Sequence, residues 1–147
     1  MLPVLKIKRL TDTAVLPQKM SEEAAGLDVW LDQRVILFAN QTKLAHTGIA
    51  IACPKGYHAE LHIRSSLGSK GIRLANCTGI IDSDYRGEVL LAIHNDNKDP
   101  VNLDAQTRVA QIILVKDPNF EIKEVEDLNK TKRGVGGFGS TDKKEEE

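Results

Sequence analysis

The 147-residue sequence has only two cysteines, Cys53 and Cys77, and no long apolar run. Two cysteines at this spacing form neither a disulfide framework nor a C-x-x-C redox or zinc motif. No apolar stretch approaches the ~20 residues that a membrane span needs. The first apolar stretch is interrupted by Lys6 and Lys8, which is unlike a secretion signal. These absences predict a soluble, intracellular protein, cytoplasmic in location and without a membrane partner.

An excess of one charge is also missing, because 20 basic residues face 21 acidic ones and the net charge is -1. A dedicated nucleic-acid binder usually carries a strong basic excess, so we expect no direct nucleic-acid partner. The P-loop motif that cradles phosphates in many nucleotide enzymes does not occur. The length fits one domain that buries its own core without a structural metal.

Short alternating segments dominate what is present, with 12 Ile and 10 Val among the residues. The absence of a long segment with a period of 3.6 residues favours antiparallel strands over crossover helices. We therefore predict an all-β chain, a sandwich, jelly roll or barrel, with one short helix at 67–70. The expected strands are Val4–Leu10, Val35–Phe38, Gly48–Cys53, Tyr57–Ile63, Val89–His94, Val109–Val115 and Phe120–Val125.

The amino-acid composition changes at Asn129, so we divide the chain into a folded domain at 1–128 and a C-terminal arm at 129–147. The arm is rich in glycine and charge, and Val135 and Phe138 are its only large or branched apolar residues. It is either a disordered tail or an arm that orders when Phe138 finds a surface to stack on. Its G-x-G-x-x-G pattern is not a dinucleotide motif, because no strand–helix unit surrounds it.

Three segments carry candidate chemistry, each with a plainer structural interpretation beside it. Arg64-Ser65-Ser66 at a helical turn can bind phosphate oxygens, or can be a surface arginine and a helix cap. Asp82 and Asp84, on one face of a strand, could activate water or hold a cation, or could belong to a polar turn. Asp28, Arg108 and Gln111 are polar residues within apolar strands. His58 and His62 lie about 13 Å apart on a strand, too far to share a metal ion.

Five blocks together resemble the trimeric dUTP diphosphatase (dUTPase) family, in order and over nearly the whole chain. They are AAGLDVW (24–30), RSSLGSKGI (64–72), GIIDSDYRGEV (79–89), RVAQ (108–111) and RGVGGFGST (133–141). The resemblance implies a jelly-roll-like β barrel with a flexible C-terminal arm. It also implies a homotrimer with active sites at the subunit interfaces, each closed by an arm from a neighbouring subunit.

The same resemblance implies Mg²⁺-dependent hydrolysis of dUTP to dUMP and pyrophosphate, a reaction that limits uracil in DNA and supplies dUMP for dTMP synthesis. Asp82 would activate the water that attacks the α-phosphorus, and Asp28 would hold Mg²⁺ through its water shell. Tyr85 would pack under the deoxyribose and exclude a ribose. Uracil would be read by Asn76 and by hairpin backbone that includes Gly79 and Ile81. Arg64, Ser65, Ser66 and Gln111 would lie at the phosphates. From the closing arm, Arg133, Ser140 and Thr141 would bind the γ-phosphate end, Phe138 would stack on uracil, and Gly139 would also contact the substrate.

Two alternatives stay open beside the diphosphatase. A dCTP deaminase on the same fold would carry a glutamate after the hairpin, where the rough alignment places Ala92. A nucleotide-binding trimer could also act as a sensor or bind a regulatory protein partner. The resemblance further implies that Arg108 is structural and pairs with Asp84.

Overall fold

The computed structural model describes residues 2–138, and its regular secondary structure is almost entirely antiparallel strand. The strands are β1 (Lys6–Arg9), β2 (Leu27–Trp30), β3 (Val35–Leu37), β4 (Thr42–Ala52), β5 (Tyr57–Ile63), β6 (Ile72–Leu74), β7 (Gly79–Ile81), β8 (Glu88–Asn95), β9 (Val101–Leu103) and β10 (Arg108–Lys116). One helix, α1 (Ser65–Gly68), follows β5. The prediction of an all-β, jelly-roll-like fold is confirmed.

Two four-stranded sheets share one apolar core. The strand orders are β1-β4-β8-β6 and β2-β10-β5-β7, and β3 pairs with β9 in a small third sheet. Alternation explains the layers, because every second residue of β8 is buried while its neighbours are partly exposed. Ile49, Leu91 and Ile93 from the first sheet and Leu61 and Ile112 from the second belong to the same buried cluster. Within residues 2–138, no helix is long and apolar enough to cross a membrane.

The predicted strand at Phe120–Val125 is wrong, because residues 117–128 form neither helix nor strand. The apolar side chains of this segment project into solvent, and Ile122 is 92% exposed. The segment has the alternation of a strand, but no sheet edge of this chain pairs with it within the described residues. The short helix also begins two residues before its predicted start, at Ser65.

Candidate active site

Predicted site residues of β2 and β10, together with the residue that follows β5, converge in one group, which we call the arginine cluster: Asp28, Arg64, Arg108 and Gln111. Strand pairing brings them together, since Asp28 of β2 lies opposite Gln111 of β10. Arg64 follows β5, and its backbone N–H donates to the carbonyl of Val109 at 3.1 Å. The two β-strands that flank β10 therefore place the acid and one arginine on either side of it.

Asp28 is shared by two guanidinium groups. Its Oδ2 lies 3.2 Å from Arg64 Nε and 3.3 Å from Arg108 Nη1. The expected pairing of Arg108 with Asp84 is thus wrong, because the β2–β10 register directs Arg108 toward Asp28 instead. The carboxylate is only 14% exposed, whereas both arginines reach solvent more freely. Two cations against one carboxylate leave a surplus positive charge facing outward, as an anion site requires.

Ser65 and Ser66 sit beside this cluster, exposed in the first turn of α1. The Gln111 side chain lies close to the bare backbone of Gly26. A Cβ at Gly26 would lie 3.0 Å from Gln111 Oε1 and 3.1 Å from the Ile112 carbonyl, so a side chain there would press on the amide. The segments 24–30 and 108–111 are therefore in direct contact.

The side chains of the described residues do not offer a donor set for a directly held metal ion. Within residues 2–138, no group of three His, Cys, Asp or Glu side chains could hold an ion. Asp28 is a single carboxylate whose Oδ2 already faces two cations. Because Mg²⁺ keeps several waters and is often carried by substrate phosphates, one acid acting through water fits this arrangement.

The second group of predicted residues lines a pocket of about 200 Å³ between β7 and β8, which we call the hairpin pocket. Gly79 forms part of its wall as bare backbone. A Cβ at Gly79 would lie 3.1 Å from Leu61 Cβ and 3.3 Å from Asn76 Nδ2, so a side chain would intrude on this wall. The lining residues are Leu61, Asn76, Gly79, Ile80, Ile81, Asp82, Tyr85, Glu88, Val89 and Leu90.

Asp82 and Tyr85 belong to the turn that joins β7 to β8. The Tyr85 backbone N–H donates to the Asp82 carbonyl at 3.1 Å, which closes the turn. Arg86 Nη1 donates to the carbonyls of Ser83 and Tyr85 at 2.8 and 2.7 Å. The expectation that Asp82 and Asp84 share a strand face is wrong, because β7 ends at Ile81 and the chain turns. Asp82 is exposed at the pocket rim.

The two groups are far apart within one chain. β2 and β7 are the opposite edges of the β2-β10-β5-β7 sheet. Asp28 pairs with Gln111 of β10, and Gln111 pairs in turn with His62 near the end of β5. Asp82 follows Ile81, which pairs with Ala59 nearer the start of β5. From the strand spacing and the rise per residue, Asp28 and Asp82 are separated by roughly 20 Å along the sheet. The structure does not bring them into one site.

The described part of the arm contains two predicted site residues. Arg133 Nε donates to the Gly136 carbonyl at 2.8 Å, in a turn of the arm itself. The Phe138 side chain is fully exposed and does not line the hairpin pocket. Gly139, Ser140 and Thr141 lie outside the described residues.

His58 and His62 lie on the outer face of β5, half-buried, and they are linked through Glu60. Glu60 Oε2 lies 2.8 Å from His62 Nε2, and Glu60 Oε1 lies 3.4 Å from His58 Nε2. The hydrogen bond with Asp117 raises the pKa of His58, and the hydrogen bonds with His62 and His58 lower the pKa of Glu60. These residues form a hydrogen-bonded row along the strand.

A family model described as dUTPase matches residues 12–142 of the sequence. The chain belongs to the dUTPase family. The match begins before Asp28 and ends beyond Thr141, so all five blocks lie within it.

Individual dUTPase relatives agree over nearly their whole length. A deoxyuridine 5'-triphosphate nucleotidohydrolase of Nautilia profundicola is 41% identical, with 95% of this chain and 99% of the relative covered. That of a Thermoanaerobacter species is 42% identical over 94% of this chain and 97% of the relative. A solved structure of the Staphylococcus bacteriophage 80alpha dUTPase with dUPNHPP is 26% identical, covers 93% of this chain and 97% of that one, and has a TM-score of 0.86.

Two features of these residue groups are not apparent from the sequence. The first is the direct pairing of Arg64 and Arg108 with Asp28, which depends on the register between distant strands. The second is Glu88, which lines the hairpin pocket and bonds to β4. The sequence signal that could have indicated Glu88 is its position beside Gly87 in the segment 79–89.

Proposed function

We propose that the chain is a dUTP diphosphatase that hydrolyses dUTP to dUMP and pyrophosphate. The observation that carries the proposal is the hairpin pocket, in which a carboxylate and a tyrosine meet a backbone-lined cavity. Membership of the dUTPase family supports the same substrate. The reaction would act in nucleotide metabolism, where it limits uracil in DNA and supplies dUMP for dTMP synthesis. The predicted cytoplasmic location stays a prediction.

Recognition of the nucleoside is assigned to the hairpin pocket. Backbone groups around Gly79 and Ile81, together with Asn76, would pair with the uracil edge. Cytosine reverses the donors and acceptors of that edge, so its binding would leave buried polar groups unpaired. The Tyr85 ring would lie under the deoxyribose, where a ribose 2′-hydroxyl would collide with it.

The chemical step is assigned to Asp82 and one water molecule. The carboxylate would accept a proton from the water as its oxygen attacks the α-phosphorus. The bond between that phosphorus and the bridging oxygen then breaks, and pyrophosphate leaves. A positioned general base contributes on the order of 10²–10⁴ in rate. The exposure of Asp82 at the pocket rim leaves its carboxylate accessible to water.

The triphosphate is assigned to the arginine cluster and the arm. Arg64, Ser65, Ser66 and Gln111 would bind phosphate oxygens, with the surplus positive charge beside Asp28 offsetting charge that develops in the reaction. Asp28 would hold Mg²⁺ through water, and this ion would supply further charge neutralisation on the phosphates. From the arm at 129–147, Arg133, Ser140 and Thr141 would bind the γ-phosphate end. Gly139 and a stacked Phe138 would cover the uracil.

A homotrimer with sites between subunits is part of the proposal. Asp28 and Asp82 are separated by roughly 20 Å along one sheet, farther than a single triphosphate group extends. A complete site then needs the arginine cluster of one copy beside the hairpin pocket of another. The exposed apolar side chains of Phe120 and Ile122 also indicate a segment that another copy covers.

The test is a nucleotide panel with dUTP, dCTP, dTTP and UTP in the presence of Mg²⁺. We expect dUMP and pyrophosphate from dUTP, with Asp82→Asn losing hydrolysis by about 10²-fold or more while still binding α,β-imido-dUTP. Asp84→Asn is the matched control, because it changes a neighbouring acid of the same turn and is expected to remain active. An Asp82→Asn protein that hydrolyses dUTP normally would contradict the assignment.

The deaminase and sensor alternatives have different outcomes in the same panel. Conversion of dCTP would indicate a deaminase, but Ala92 offers no acid at the corresponding position of β8. Tight binding of dUTP without turnover would indicate a nucleotide sensor. A regulatory protein partner remains compatible with catalysis, and no observation favours it as the sole function.

A further inference from the structure

The Tyr85 ring folds back over Gly87, and the fit leaves no space for a side chain. A Cβ placed on Gly87 would lie 2.3 Å from Tyr85 Oη and 2.6 Å from Tyr85 Cζ, whereas ordinary contacts begin near 3.4 Å. The clashing atoms belong to the far end of a side chain that is 44% exposed. A methyl group at residue 87 would therefore push the ring toward solvent rather than disturb the core.

The Tyr85 ring is also held by Glu88, the residue that follows Gly87. Tyr85 Oη donates a hydrogen bond to the backbone carbonyl of Glu88 at 3.0 Å. This hydrogen bond connects the tip of the ring to the first residue of β8. The position of the ring thus depends on where β8 begins.

Glu88 fixes that beginning by bonding to β4. The pairing of β4 with β8 is shifted between His46 and Ala50, so the strands leave their regular ladder there. The Gly48 backbone N–H donates to Glu88 Oε1 at 2.8 Å, and His46 Nδ1 lies 2.9 Å from Glu88 Oε2. The Glu88 carboxylate thus accepts a hydrogen bond from the Gly48 N–H, a backbone donor that the irregular strand pairing leaves without a cross-strand partner.

We propose that Gly87 is a specificity-determining residue for the sugar and that Glu88 is a positioning residue for Tyr85. The bare backbone at Gly87 lets the ring lie close to the hairpin, and the Glu88–β4 contacts hold it there. This geometry sets the space available at the sugar 2′-carbon. The inference rests on the proposed function, in which Tyr85 lies under the deoxyribose.

The decisive experiment compares kcat/KM for dUTP and UTP in the full-length chain and in Gly87→Ala. The displaced ring opens space for a 2′-hydroxyl, so we expect the preference for dUTP over UTP to fall by about ten-fold or more. The melting temperature is expected to stay within a few degrees of wild type, because the displaced atoms are exposed. Ser83→Ala, a small change in the same turn, should leave the preference unaltered.

Two variants of Glu88 separate positioning from a general structural effect. Glu88→Gln keeps an oxygen that can accept from Gly48 and should preserve most of the preference. Glu88→Ala removes it and should lower the preference, raising KM for dUTP more than it lowers kcat. Tyr85→Phe removes the hydrogen bond to residue 88 and should shift the preference in the same direction by less.

The outcomes distinguish this inference from the proposed function. Equal losses on dUTP and UTP in Gly87→Ala, with an unchanged ratio, would overturn the inference while leaving the diphosphatase intact. If wild type hydrolyses no dUTP, the diphosphatase proposal fails. The dissociation constants of α,β-imido-dUTP and α,β-imido-UTP then decide the inference, since the same loss of preference must appear in binding.

Discussion

At the scale of single residues, His58 is a side chain whose charge state is coupled to the fold. It lies on the outer face of β5, with Glu60 on its own strand and Asp117 just beyond the end of β10. Val115 of β10 is its cross-strand neighbour and carries no charge. Hydrogen bonding to Asp117 raises the pKa of His58, so the folded protein favours the imidazolium form.

This coupling predicts a pH dependence of stability. A raised pKa means that His58 contributes stability fully below about pH 6.5, and the contribution is lost as the pH rises through the folded pKa. The free energy of unfolding of wild type should therefore fall more between about pH 6 and pH 8 than that of His58→Gln. Urea denaturation at one fixed protein concentration measures both. Asp117→Asn is the companion variant and should show the same flatter profile, whereas identical slopes in all three proteins would contradict the assignment.

The residue types of the site are visible in the sequence, but most of their partners are not. Asp28, Arg64 and Gln111 stand in short blocks whose chemistry suggests phosphate and metal binding. Their mutual contacts arise from the β2–β10–β5 register, which joins residues up to 80 positions apart, as for Asp28 and Arg108. No local pattern carries that information, and for this reason Arg108 was assigned to the wrong acid.

At the scale of elements, the irregular pairing in β4 connects the core to the hairpin. Gly48 has a φ of +66°, a left-handed conformation that side chains rarely adopt. A Cβ there would lie 2.7 Å from Thr11 Oγ1 and 2.8 Å from the Asp32 carboxyl carbon. Asp32 is itself buried and accepts hydrogen bonds from the hydroxyls of Thr11 and Thr13. The glycine thus permits the bulge, and the bulge supplies the donor for Glu88.

Gly48→Ala should therefore destabilise the protein strongly. The strained φ and the contacts with Thr11 and Asp32 together predict a loss on the order of 2–4 kcal/mol in the free energy of unfolding. Chemical denaturation measures the loss. Gly56→Ala is an informative control, because Gly56 also has a positive φ but has open space around its Cα, so only the strain contribution should appear. Equal losses in the two variants would show that packing at the bulge is unimportant.

Strand prediction succeeded for β5, β8 and β10, covered only the second half of β4, and missed most of the short strands, although β1 and β3 were predicted. β5, β8 and β10 each have seven or more residues, enough for the two-residue period to be recognised. β6, β7 and β9 have three residues each and carry no period. Phe120–Val125 shows the opposite error, because its alternation has no pairing partner among residues 2–138.

At the scale of the whole molecule, the placement of the two site groups determines what one copy can do. The sheet order puts β2 and β7 on opposite edges, so the arginine cluster and the hairpin pocket face different surroundings. Each group is well formed by itself: the cluster by ion pairs and the pocket by a closed turn. In the proposed reaction each copy would therefore supply two half-sites, and activity would depend on how copies meet.

Two inactive variants should consequently restore activity when they are assembled together. Asp28→Asn damages the arginine cluster and Asp82→Asn damages the hairpin pocket, so each homotrimer is expected to be inactive on dUTP. In trimers assembled randomly from equal amounts of the two variants, about a quarter of the sites combine an intact Asp28 from one copy with an intact Asp82 from another. Refolding the two proteins together and assaying release of pyrophosphate should recover activity in that proportion, whereas two Asp82→Asn preparations refolded together should recover none. Absence of recovery in confirmed mixed trimers would mean that each site draws both acids from one chain, which would require the sheet edges to approach far more closely than they do here.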